Sequence, residues 1–136
     1  MADARNEDVA PIRALIADDD PDIVTILRDR LELMGAIVLT AFNGEEVIRH
    51  LETAPVDVVF LDIEMPRMDG IETLRIIRAR VGSLPVFMIT AAANTNRLSE
   101  ADQAGATGTF LKPIQFEQMQ QALRNLFPSR LRNLER

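Results

Sequence analysis

An apolar run that ends abruptly in a carboxylate constrains this chain more than any other feature. In Val58-Val59-Phe60-Leu61-Asp62-Ile63-Glu64-Met65-Pro66, four apolar residues lead into one acid, and a proline stands four residues beyond it. Such a run reads as a strand buried on both faces that delivers a single acid to a sheet edge. A buried acid without a partner is costly, so Asp62 is expected at a mouth where something cationic meets it. Asp18 and Asp19, Thr90, and Lys112 each follow an apolar run of their own and are the available partners.

The remaining chain repeats this pattern. A strand over 12–17 ends in Asp18-Asp19-Asp20-Pro21, where Asp20 caps a helix that starts at the proline. Ile23, Leu27, Leu31 and Met34 recur at helical spacing, and Gly35 stops the helix. A second strand over 36–41 precedes a turn at Asn43-Gly44 and a short helix marked by Val47, Ile48 and Leu51. After the central strand and the loop through Asp69-Gly70, a helix carries Ile71, Leu74, Ile77 and Val81 on one face. A fourth strand is expected over 84–90. The helix over 94–105 has Leu98 as its only large apolar residue, so weak anchoring is expected. A fifth strand over 107–112 leads to a last helix with Phe116, Met119, Leu123 and Leu126, ended by Pro128. Five strands alternating with five helices imply a parallel sheet with right-handed crossovers and helices on both faces. All strand C-termini then share one edge, and Asp18, Asp19, Asp62, Thr90 and Lys112 converge there.

Length and composition narrow the chemistry. At 136 residues the chain reads as one domain, and 47% apolar content argues against disorder. No segment approaches the ~20 apolar residues that cross a bilayer, and the polar N-terminus is no signal peptide. The absence of cysteine excludes disulfides and thiolate chemistry and fits a cytoplasmic setting. A net charge of −6 argues against direct DNA binding and suits an acidic divalent-cation site. Three carboxylates close together repel, and at least one pKa rises unless a cation joins them. Only oxygen ligands are on offer, which points to Mg2+ or Mn2+ rather than zinc. A carboxylate beside such an ion can act as a nucleophile toward phosphorus, with Lys112 and the Thr90 hydroxyl engaging the remaining oxygens.

At four places the chain resembles the receiver domain of bacterial two-component response regulators, in its stand-alone, chemotaxis-regulator-like form. These are Ala17-Asp18-Asp19-Asp20, the stretch from Leu61 through Asp62 and Met65-Pro66 to Asp69-Gly70, Ile89-Thr90-Ala91, and Leu111-Lys112-Pro113. The resemblance implies an α/β, flavodoxin-like (βα)5 doubly wound sheet with strand order 2-1-3-4-5. It implies residues 1–11 as a disordered tail, 12–127 as the receiver domain and 128–136 as a C-terminal tail. Asp62 would be the phosphoacceptor, supplied by a sensor histidine kinase or a histidine phosphotransfer protein. Mg2+ would be bound by Asp19 and Asp62, by Asp18 through water and by the backbone carbonyl of Glu64. Lys112 would pair with the phosphoryl group, Thr90 would move toward it, and the Lys112-Pro113 peptide would be cis. The implied protein is no enzyme beyond its own phosphorylation and dephosphorylation. It would switch a surface near the fourth helix, fifth strand and fifth helix for a downstream protein target or a phosphorylation-dependent homodimer. It would have no membrane partner and, with no output domain after Phe127, would act alone.

Two positions depart from that family's pattern. Thr109 stands where many receivers carry an aromatic residue that swings inward, and strand alternation turns Phe110 to the other face. Glu64 adds a negative side chain at the rim. Competing readings are a haloacid-dehalogenase-like phosphatase, a flavin-binding module and a degenerate receiver that is only an interaction surface. For the phosphatase, Asp62-Ile63-Glu64 is a faint echo of an Asp-x-Asp pair, but its strand comes third rather than first. For the flavin module, Asp18-Asp19-Asp20 would repel a phosphate. His50 reads as an exposed bystander, Asp69-Gly70 as turn chemistry, and Arg130, Arg132 and Arg136 as a solvated basic end.

Overall fold

The computed structural model describes residues 10–91 and 95–130. Five parallel strands, β1 (Arg13–Ala17), β2 (Ile37–Ala41), β3 (Val58–Asp62), β4 (Val86–Thr90) and β5 (Gly108–Leu111), form one sheet in the order β2-β1-β3-β4-β5. Helices α1 (Pro21–Leu33), α2 (Gly44–Thr53), α3 (Gly70–Arg80), α4 (Thr95–Gln103) and α5 (Phe116–Leu126) alternate with them. The flavodoxin-like expectation is therefore met. Registers Ala17↔Leu61, Asp62↔Ile89 and Thr90↔Leu111 bring the strand ends to one edge.

Every residue of β3 and β4 is buried, because helices cover both faces of the sheet. On one face Ile16, Phe60 and Ile89 meet Leu27 and Leu31 of α1 and Met119 and Leu123 of α5. Phe60, Phe87 and Phe110 stack there with centroids 5.3–6.3 Å apart. On the other face Leu15, Leu61 and Met88 meet Val47 of α2, Leu74 and Ile77 of α3, and Ala101 of α4. The lone large apolar residue of α4, Leu98, is half-buried, and its fully buried anchor is Ala101. A methyl group contributes far less burial than a leucine, so polar contacts carry more of the placement of α4.

Several local expectations change. Asn43 is the N-cap of α2, accepting from the Glu46 N–H, and Gly44 is already helical. Val81 and Leu126, placed by periodicity on apolar helix faces, are 43% and 38% exposed because each lies where its helix ends. His50 is half-buried, with Nε2 2.8 Å from the Thr40 carbonyl oxygen, and so ties α2 to β2. Arg130 is not simply solvated. It donates to Asp57 at 2.9 Å and to the carbonyls of Ala10 and Pro11, and covers the Phe127 ring. Residues 1–9 of the tail expected over 1–11, Asn94, and Arg132 and Arg136 lie outside the described residues.

Gly70 marks a close approach rather than turn chemistry alone. It starts α3 directly against the end of β3, with its N–H donating to the Ile63 carbonyl at 2.8 Å. A Cβ there would collide with the Asp62 carbonyl oxygen and lie 2.8 Å from Ile63 Cα. Gly70→Ala is therefore expected to destabilise the fold by roughly 2–3 kcal/mol despite alanine's better helix propensity. A lower urea midpoint at unchanged slope would register it, and an unchanged midpoint would contradict it.

Candidate functional site

The C-terminal edge of the sheet carries a compact charged cluster. Asp18 follows β1 and is fully buried, and Asp62 ends β3 at 2% exposure. The Asp20 N–H donates to Asp18 Oδ1 at 2.9 Å, curling the chain so that exposed Asp19 turns back to the cluster. One carboxylate oxygen from each of Asp18, Asp19 and Asp62 lies within 4.8 Å of the others. Asp20 stays outside. It caps α1 by accepting from the Asp22 N–H, and Pro21 occupies the first helical turn, as its position predicts.

Lys112 arrives from the end of β5. Its Nζ is 3.0 Å from Asp18 Oδ2 and 3.5 Å from Asp62 Oδ2. Its backbone N–H holds the Thr90 carbonyl at 2.8 Å, and the Lys112-Pro113 peptide is cis. Thr90 is buried at the end of β4, one residue beyond the Ile89 that pairs with Asp62. The Glu64 N–H donates to Asp62 Oδ1 at 3.3 Å, while the Glu64 side chain is exposed. Thr109 is exposed on β5 and Phe110 is packed in the opposite core, so no aromatic ring occupies position 109.

Burial, then the charge of Asp18, pushes the Asp62 carboxyl from its usual 3.8 up to about 7, against the opposing pull of Lys112 and the Glu64 N–H. Burial alone would lower the Lys112 pKa, but the Asp18 carboxylate 3.0 Å away and the charge of Asp62 raise it. One ammonium cannot neutralise three carboxylates. Among the described residues no donor is directed at Asp18 Oδ2, for which Lys112 supplies charge at contact distance. An acidic, all-oxygen donor set with a buried oxygen still lacking a directed donor fits a hard divalent cation.

One group at this rim was not anticipated. Arg97 of α4 donates to Asp69 Oδ2 at 2.8 Å, and the two line the mouth of the site together with Asp19, Glu64, Met65 and Pro66. Asp69 also caps α3 in a reciprocal box with Glu72. The Asp69-x-x-Glu72 spacing could have revealed that cap from sequence. Nothing local pairs Arg97 with a residue 28 positions away.

Comparison with known proteins agrees with this arrangement. The model of the response regulator receiver domain matches residues 14–124. The probable C4-dicarboxylate response regulator DctR of Bacillus subtilis is 34% identical over 113 residues, covering 82% of this chain and 50% of that protein. The transcriptional regulatory protein ZraR of Salmonella typhimurium is 34% identical over 82% of this chain and 25% of its own length. The sensor histidine kinase GacS of Pseudomonas protegens is 36% identical over 87% of this chain and 14% of its own. The chain thus spans half or less of these curated relatives. The chemotaxis response regulator CheY4 of Vibrio cholerae superposes with a TM-score of 0.80 at 28% identity, covering 87% of this chain and all of that one. Sheet order, the acidic edge with its lysine, and a family match over most of the length agree, and the chain belongs to the response regulator receiver domains, a family of signalling domains.

Proposed function

We propose that this chain is a phosphorylation-controlled switch that accepts a phosphoryl group on Asp62 from a phosphohistidine of a sensor histidine kinase or histidine phosphotransfer protein. The observation that carries the reading is the buried Asp62 carboxylate, within ion-pair distance of Lys112 and clustered with Asp18 and Asp19. An Asp62 oxygen attacks phosphorus, and the phosphorus–nitrogen bond breaks with its electron pair passing to the imidazole, which takes up a proton. Mg2+, with Mn2+ as substitute, would be held by Asp19 and Asp62, by Asp18 through water and by the Glu64 backbone carbonyl. Bound there, it supplies positive charge against the carboxylates and the incoming phosphoryl oxygens. Lys112 exchanges part of its pairing with Asp18 and Asp62 for the new dianion, and the Thr90 hydroxyl donates to it. Hydrolysis returns Asp62 to its starting state, so the chemistry is confined to the chain itself.

The receiver unit in this reading runs over 12–127, and its output is a protein contact surface around α4, β5 and α5. The partners are a downstream protein or a second copy of the chain, without direct DNA or membrane contact, in the cytoplasm. Among the described residues no helix is long and apolar enough to cross a membrane. Incubation with Mg2+ and acetyl phosphate followed by intact mass is the test. One added phosphoryl group is expected, absent in Asp62→Asn and absent when the cation is chelated. No mass gain in the natural chain, or an undiminished gain in Asp62→Asn, would refute the assignment.

A further inference from the structure

Helix α4 lies beside the site with little apolar burial of its own, and ion pairs tie it to α3. Arg97 spans from α4 to Asp69 at 2.8 Å and to Glu100 at 3.0 Å, and Glu100 meets Arg75 of α3 at 3.7 Å. The two oxygens of Asp69 divide the work. Oδ1 accepts the Glu72 N–H and caps α3, and Oδ2 receives Arg97. Burial works to raise the Asp69 pKa, but the capping bond and the Arg97 guanidinium outweigh it and hold it below the usual range. Among the described residues that line the mouth, Asp19, Glu64, Met65, Pro66, Asp69 and Arg97, the guanidinium is the only cation.

We infer that the Arg97–Asp69 pair is the resting-state latch of α4, and that a phosphoryl dianion on Asp62 opens it by competing with Asp69 for Arg97. The inference rests on the phosphoacceptor reading of Asp62. Two further observations support it. Position 109 is an exposed threonine, so no aromatic ring there can carry the change toward α4. Arg97 opens onto the same rim as Asp19, whose carboxylate is part of the cluster around Asp62. A guanidinium binds a phosphoryl group at least as well as a carboxylate, with the same two-pronged geometry. Moving it from Asp69 to the dianion leaves the α3 cap intact, releases α4 from α3 and transfers its anchor to the site. Arg97 is in this sense a positioning residue, coupling the state of the site to a helix rather than taking part in phosphoryl transfer.

Asp69→Asn isolates the latch, because asparagine caps a helix as well as aspartate while removing the charge that faces Arg97. The readout is amide hydrogen exchange along α4, with α1 as internal control, before and after treatment with acetyl phosphate and Mg2+; intact mass reports phosphorylation in parallel. In the natural chain, phosphorylation is expected to speed α4 exchange about three- to tenfold, the scale for losing the half-buried ion pair that ties α4 to the start of α3. In unphosphorylated Asp69→Asn, α4 is expected to exchange at that faster rate already, and phosphorylation adds less than about twofold. If Asp69→Asn leaves α4 exchange unchanged, or if phosphorylation speeds it by the same factor in both proteins, the pair is a static strut and the inference fails. If mass shows no phosphoryl group on the natural chain, the phosphoacceptor reading itself fails and the latch with it.

Discussion

Lys112→Met is expected to destabilise the cation-free protein by roughly 3 kcal/mol at pH 7, the scale for removing one partner from buried opposite charges. The ammonium stands 3.0 Å from Asp18 and 3.5 Å from Asp62, and both carboxylates are almost wholly out of water. Methionine fills the volume of the lysine stem, so packing is largely retained and the loss is electrostatic. Without the ammonium, the Asp62 pKa moves further up, since burial and Asp18 then act unopposed by Lys112. The deficit should therefore shrink as the pH is lowered toward 4, where the Asp62 carboxyl is protonated. Urea unfolding in a chelator at pH 4 and pH 7 checks this, and an equal deficit at both values would count against it. Acetyl phosphate labelling should also fall at least about tenfold, as the incoming dianion loses a charge-assisted contact.

Asp62→Asn should do the opposite, stabilising the cation-free protein at neutral pH. The native Asp62 carboxyl titrates near 7 and an unfolded one near 3.8. Between those values the native state holds a proton that the unfolded chain has released, so stability falls as pH rises from about 4 to about 7. Below that window both states are protonated and the residue contributes no difference. Above it the whole cost is present, on the order of 4 kcal/mol at 1.36 kcal/mol per pKa unit. Asparagine has no such titration. The variant should match the natural chain near pH 4 and exceed its stability by that amount near pH 8. Superimposable stability–pH curves in a chelator would rule this out. Added Mg2+ should close the gap from the other side, by stabilising the natural chain and not the variant.

Much of the site was legible because each of its residues terminates an apolar run. The strands through Leu15, Phe60, Ile89 and Phe110 are recognised by hydrophobicity alone, and parallel topology places the residues after them on one edge. Asp18, Asp62, Thr90 and Lys112 inherit their positions from that rule. The outward turn of Thr109 follows from the alternation of strand side chains. Less legible were residues whose partners are distant in sequence and whose own surroundings are polar. Arg97 finds Asp69, Arg130 finds Asp57, and His50 finds the Thr40 carbonyl through contacts that carry no periodic signature. Val81 and Leu126 misled for a related reason. Periodicity identifies a helix face but not the point where that face runs off the core.

What the amino-acid order decided by itself was the alternation of buried strands and helices and the delivery of three acids, a hydroxyl and an ammonium to a common edge. Apolar burial is a near-additive property of short segments, so it can be summed along a chain. What only the tertiary structure decided was how those charges are shared: Lys112 between Asp18 and Asp62, and Asp69 between the α3 cap and Arg97. Ionic and hydrogen-bonding energies depend on ångström-scale separations and on local burial. Those quantities exist only once the helices have docked on the sheet.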